Sequence, residues 1–146
     1  MRIVLQRVSR ASVSVDSVSV GQIGCGLLLL VGIGAEDTAE KLRPMAEKIL
    51  NLRVFPDDAG KFQYSLRDTK GELLLIPQFT LFGDTSKGRR PEFFGAMRPE
   101  GAAHLFESLA QIFKDLGGGV VEKGVFQAHM QVELINDGPV TLILEA

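Results

Sequence analysis

The first clear pattern is an alternation. In Val8-Ser9-Arg10-Ala11-Ser12-Val13-Ser14-Val15, apolar and polar side chains alternate, as in a half-buried strand. Asp16-Ser17 follows as a turn and Val18-Ser19-Val20 as a return strand. Leu27 to Ile33 is almost continuously apolar and reads as a strand buried on both faces. Asp37-Thr38-Ala39-Glu40 has the spacing of a capping box, and Leu42, Met45, Ala46, Ile49 and Leu50 then recur at helical intervals. Leu52 to Phe55 returns to strand, Pro56 to Gly60 is a turn, and Lys61 to Ser65 is a short strand.

Leu73 to Leu81 forms a second strongly apolar strand. Pro77 within it marks an edge, a bulge or an end. Asp84 to Pro91 is a polar, basic loop. Pro99 to Leu116 predicts a second helix, with Ala103, Phe106, Ala110 and Phe113 on one face, stopped by Gly117-Gly118-Gly119. Val120 to Lys123, Gln127 to Leu134 and Val140 to Leu144 read as strands, the last two flanking an Asn136-Asp137-Gly138-Pro139 turn.

Hairpin-length connections dominate, without regular βαβ alternation. The expectation is a single α+β domain over residues 1–146. Its sheet is mainly antiparallel and curled or barrel-like, with two principal helices outside. The 45% hydrophobic and 23% charged content suits a globular chain of this kind.

Composition narrows the function. The net charge is −2, so nucleic-acid contact should be local and small, the grip on an RNA end rather than a duplex. No DNA partner is expected. No apolar run approaches the roughly 20 residues of a membrane span. Met1 to Arg7 is charged too early for a secretory leader and reads as a strand, so a cytoplasmic location is expected. The single cysteine, Cys25, excludes an intrachain disulfide and fits a reducing compartment.

Familiar chemistry is missing. His104 and His129 have no cysteine or carboxylate at ligand spacing, so no metal is expected. There is no Gly-x-Ser-x-Gly elbow. Asp84 to Gly88 has the wrong order for a phosphate loop, and Gly32-Ile33-Gly34 lacks a third glycine. An enzyme built on this chain would rely on backbone groups, hydroxyls and the substrate's own atoms, without an organic cofactor.

Two segments remain. In Pro77-Gln78-Phe79-Thr80-Leu81, an extended chain puts the Gln78 amide and the Thr80 hydroxyl on one strand face. They could orient a carbonyl and a water, or simply face solvent. Downstream, Lys87, Arg89 and Arg90 make a compact cationic loop suited to one or two phosphates, or a solvated turn. The second segment is Asn136-Asp137-Gly138-Pro139-Val140-Thr141, by itself an ordinary turn.

Together these segments resemble the D-aminoacyl-tRNA deacylase family. Its signatures are a Ser-Gln-Phe-Thr-Leu strand and an Asn-x-Gly-Pro-x-Thr turn near the C-terminus. The likeness extends, in order, over Gln6-Arg7-Val8, Ala46 to Arg53, Lys87 to Pro91 and Met130-Gln131-Val132. It implies hydrolysis of D-amino acids from the aminoacylated 3′ end of tRNA by a homodimer. It further implies a cis Gly138-Pro139 bond inserted into the partner's active site. Carbonyl oxygens there would collide with an L side chain and spare a D one. Glycine, lacking a Cβ, would leak through.

The resemblance places Gln78, Phe79 and Thr80 along the pocket for the terminal adenosine. Arg7 would brace the Gly-Pro segment, with Met130 packed against that motif. Thr80 is expected to support rather than attack, because no base is visible beside it. The substrate's ribose 2′-hydroxyl would assist water, and backbone N–H groups would stabilise the oxyanion. This chain departs from the family in Pro77, where serine is usual, and in Gln127, where glycine is common. A related branch with proline in this strand edits L-alanyl esters and is one alternative. A non-enzymatic RNA-binding β-barrel is the other.

Overall fold

A computed structural model describes residues 1–146. One strand organises it. β1 (Arg2–Val15) is 14 residues long, and β8 (Gln131–Glu145) runs antiparallel along one of its edges. Its other edge is shared. β2 (Val18–Ile23) pairs with the Ala11–Val15 half, and β3 (Gly26–Gly32) with the Arg2–Val8 half. Asp16 and Ser17 both have positive φ, 49° and 65°, the geometry of a two-residue hairpin whose twist matches its strands.

Beyond β3 the sheet becomes parallel, joined by β6 (Glu72–Pro77) and then β7 (Val121–Lys123). The sheet is mainly antiparallel, as expected: all three pairings of β1 are antiparallel, and only β3–β6 and β6–β7 are parallel. The cause is two crossovers through helices. α1 (Leu42–Asn51) lies between β3 and β6, and α3 (Pro99–Asp115) between β6 and β7. The α+β class and the nearly closed, barrel-like sheet are as read from the sequence. β4 (Phe55–Pro56) and β5 (Phe62–Tyr64) form a separate small ribbon, and α2 (Leu66–Thr69) is a single turn.

The apolar residues divide into two clusters, one on each face. Ile3 and Leu5 of β1 join Leu27, Leu29, Leu73 and Leu75 under α1 and α3. Val8, Ala11 and Val13 join Leu28, Leu74 and Ile76 on the other face. Strict alternation would put Val8 and Ala11 on opposite faces. A register shift between Val8 and Arg10 keeps them together.

Five local expectations change. Thr38, not Asp37, precedes the first helical turn (Ala39–Lys41), and it makes no side-chain cap. Asp37 turns inward instead. Its carboxylate accepts from the Met1 ammonium at 2.5 Å, Gly34 N–H at 2.6 Å and Lys41 Nζ at 3.0 Å. A buried ammonium needs a counter-charge more than an exposed helix end needs a cap. The reciprocal capping box lies at Ser65 and Asp68. The strand expected over Leu52 to Phe55 shrinks to Phe55-Pro56, and α3 buries Ala102 rather than Ala103.

The fourth change is at Pro77, which ends β6. Proline cannot donate to the ladder, and the next residue makes the last bond, Gln78 N–H to Val31 O at 2.8 Å. Residues Phe79–Phe82 then form a 3-10 turn. The fifth change is at the C-terminus. β8 runs unbroken, and Asn136 to Thr141 form a bulge within it, not a hairpin between two strands. Val8 pairs with Asn136 and Gln6 with Thr141, so residues 137–140 loop out opposite Arg7.

Candidate active site

The 3-10 turn sets the geometry of the first segment. Gln78 and Thr80 do not share a strand face. They meet because the chain curls, and the Gln78 amide donates to the Thr80 hydroxyl. A 3-10 turn leaves its first N–H groups, those of Phe79 and Thr80, without partners inside the turn. Gly32 allows the turn to seat on β3: a Cβ there would lie 3.1 Å from both Gln78 O and Leu81 Cβ. From the other side, Arg2 donates to Leu81 O at 2.6 Å and its guanidinium lies 5.2 Å over the Phe82 ring.

Beside the turn is a cleft of about 660 Å³. Pro77, Gln78 and Phe79 line one wall, and Phe126, Gln127 and Met130 another. Thirteen of its 19 lining residues are hydrophobic, which suits an aromatic base or an apolar side chain. Its only ionisable lining residues are Arg98 and His129, so no carboxylate serves as a base there. Phe79 is exposed at the mouth, its ring edge-on to Phe93 at 4.9 Å. No three His, Cys, Asp or Glu side chains gather to hold a metal ion anywhere in the chain.

The second group forms around the β8 bulge. The Gly138-Pro139 peptide is cis, and Gly138 has φ +120°. Arg7 lies beneath, buried to 6% exposure. It donates to Val54 O at 2.5 Å and Asp137 O at 3.2 Å, and pairs with the Asp137 carboxylate at 3.0 Å. Its guanidinium also lies 5.8 Å over the Phe62 ring. The Asn136 amide closes the base of the bulge. With its amide nitrogen oriented toward the two carbonyls, it donates to Arg7 O at 2.9 Å and Val140 O at 3.1 Å, and accepts from Gln6 Nε2 and the Thr141 hydroxyl. The Asn and Thr of the motif thus staple the loop that presents Gly138 and Pro139.

The two groups do not meet within one chain. Arg7 pairs with Leu27 at one end of β3, and Pro77 lies opposite Val31 at the other. Four strand residues separate them by roughly 13 Å. Met130 lines the cleft and packs with the Val8, Ala11 and Val13 cluster, whereas Val140, beside the Gly138-Pro139 pair, belongs to the other cluster. Lys87, Arg89 and Arg90 are exposed and take no ion-pair partner. Their loop springs from a bridge between Asp84 and Glu92. Hydrogen bonds from Ser86 hold the Asp84 carboxyl below its ordinary range.

A family model described as D-Tyr-tRNA(Tyr) deacylase matches residues 4–145. The chain belongs to this family. A D-aminoacyl-tRNA deacylase of Clostridium perfringens is 53% identical over 146 residues, covering 100% of this chain and 97% of the relative. One from Xanthomonas campestris pv. campestris is 54% identical over 144 residues, covering 99% of each chain. A solved structure titled "c-Myc DNA Unwinding Element Binding Protein" superposes with a TM-score of 0.92 at 44% identity, over 100% of this chain and 99% of that one. A probable eukaryotic D-amino acid tRNA deacylase shares the fold, with a TM-score of 0.86 at 20% identity, over 98% of this chain and 97% of that one.

Against the family pattern, Pro77 still pairs with Val31, but its nitrogen faces the β7 side beyond the last β6–β7 pair at Leu75, so its missing N–H costs no strand bond. Gln127 has φ +63°, a conformation that favours the family's usual glycine. The sequence did not single out Arg2, Phe93 or Phe126. Each acts through a contact distant in the chain, and no local motif marks it.

Proposed function

We propose that this chain hydrolyses the ester joining a D-amino acid to the 3′ end of tRNA, and that it works as a homodimer. The terminal nucleoside would enter the apolar cleft, with its ester at the free N–H groups of Phe79 and Thr80. Water adds to the ester carbonyl carbon, and the developing oxyanion is held by those N–H groups. The C–O bond to the ribose then breaks, the ribose oxygen takes a proton, and tRNA and the free D-amino acid leave. The ribose 2′-hydroxyl, adjacent to the ester, assists the water. Thr80 orients rather than attacks, since its hydroxyl meets the Gln78 amide and no base.

One observation carries the dimeric reading: Gly138-Pro139 stands out from its strand, stapled and braced, yet away from its own chain's cleft. A second protomer gives it a place to act. β8 supports this, because it pairs only with β1 and its other edge is unpaired along the strand. Around that edge lie exposed Ile135 and Ile143, and near Arg7 exposed Phe62. Unpaired edges flanked by apolar side chains are readily covered by another chain. In the dimer, the carbonyl oxygens of Gly138 and Pro139 from one protomer would face the aminoacyl group in the other. They exclude an L Cβ substituent and tolerate a D one. Glycyl esters pass the same filter and are hydrolysed as a side activity.

Release of labelled tyrosine from D-tyrosyl-tRNA and L-tyrosyl-tRNA tests the assignment. The reading expects turnover of the D-ester alone; equal turnover of both would sink it. Pro77 favours a second reading, the branch that edits L-alanyl esters. Release of L-alanine faster than D-tyrosine would select that branch.

A further inference from the structure

The segment after the cationic loop carries an aromatic ring that the cleft does not use. Phe94 is 87% exposed, more than any other large apolar side chain. Its backbone is well anchored. Ala96 N–H donates to Phe93 O at 3.0 Å, closing a tight turn with Phe94 at its first corner. Behind the turn, Asp84 and Glu92 exchange backbone bonds at 2.8 and 3.0 Å. Ahead of it, Ala35 N–H donates to Gly95 O and Met97 N–H to Ile33 O, each at 2.9 Å. A loose loop could fold the ring back onto the protein; this one holds it in water.

The neighbours of Phe94 suggest what it meets. Phe93, one residue back, lines the cleft and touches Phe79. A few residues further back are Lys87, Arg89 and Arg90, all exposed and unpaired. An exposed ring between a cationic loop and an apolar cleft is the arrangement that tracks a single nucleic-acid strand: phosphates at the cations, bases on the aromatics. An apolar peptide would leave the cations unmatched. A duplex would require many more phosphate contacts than a chain of net charge −2 favours.

We propose that Phe94 is a stacking platform for the nucleobase immediately 5′ of the esterified terminal nucleoside. It is a positioning residue for the RNA end and takes no part in breaking the ester. The proposal rests on the reading that the cleft accepts the esterified nucleoside.

The test compares wild type, Phe94→Ala and Phe94→Tyr on two substrates, D-tyrosyl-tRNA and D-tyrosyl-adenosine. On the tRNA, Phe94→Ala is expected to raise KM about tenfold at unchanged kcat, within the range for lost base stacking. Phe94→Tyr should stay near wild type. On D-tyrosyl-adenosine, which lacks the preceding base, all three proteins should behave alike. A tRNA made abasic at that position should raise the wild-type KM by a similar factor, with no further rise in Phe94→Ala. Equal KM for wild type and Phe94→Ala on the tRNA overturns the proposal. So does the same loss on both substrates, which would mark a structural or self-association role. If wild type turns over neither substrate, the cleft reading itself fails and the platform with it, a result visible before any variant is measured.

Discussion

A Cβ placed on Gly138 would lie 2.7 Å from Nη2 of Arg7. The glycine also has φ +120°, where an L side chain is strained whatever the space. Two independent restrictions thus fix this residue as glycine. Gly138→Ala must move the bulge, the Arg7 guanidinium, or both. It should cost about 1–3 kcal/mol of stability, the range for strain at a special backbone position. Thermal melting measures the cost, and deacylation of a D-ester should fall at least tenfold in parallel.

Arg7 is the buried half of that relationship. Arg7→Ala removes the donor to Val54 O and frees the Asp137 carboxylate. Leaving the Val54 carbonyl unpaired should cost about 1–3 kcal/mol, read from urea unfolding. Arg7→Lys should recover only part, because one ammonium cannot hold two separated acceptors as a guanidinium fork does.

Thr80→Ala separates orienting from attacking. If the hydroxyl only receives the Gln78 amide, kcat should drop less than about tenfold. A nucleophilic role would demand a loss of several orders of magnitude. Single-turnover release of the amino acid distinguishes the two.

Asp37 gives a pH dependence. Burial pushes its carboxyl up. The Met1 ammonium, Lys41 and the Gly34 N–H together outweigh burial and hold the pKa below the ordinary value of 3.8. A depressed carboxyl contributes stability that is fully present above its unfolded pKa and lost as pH falls through the lower folded one. Urea midpoints should therefore decline below about pH 4 in wild type. Asp37→Asn should be less stable at neutral pH and show a shallower acid decline.

Much of this architecture was legible in the sequence. The alternation from Val8 to Val15, the apolar run at Leu27 and the helical spacing after Leu42 each record burial directly, so they named their elements. What failed depended on partners distant in the chain. Asp37 has the form of a cap, but the Met1 ammonium claims it. Gln78 and Thr80 looked like neighbours on a strand because Ile76 and Leu81 are apolar. Pro77 and the Gly32 seat on β3 convert that stretch to a turn. Asn136 to Pro139 looked like a hairpin because turn residues cannot report that both flanking strands continue along β1. The resemblance supplied the cis bond and the grouping of Arg7 with Gly138. The bracing by Arg2 and the role of Asn136 as a staple came only from the fold.

The account depends most on one protomer's gate serving the other's cleft. Heterodimers can be assembled from a Gly138→Ala chain with an intact cleft and an Ala128→Trp chain with a filled cleft and an intact gate. The Ala128→Trp homodimer should be inactive toward D-tyrosyl-tRNA, and the Gly138→Ala homodimer at least tenfold slower than wild type. If the gate crosses the interface, the heterodimer keeps one complete site of two and about half of the wild-type rate. A heterodimer no faster than its parents would place gate and cleft within a single chain and contradict the account.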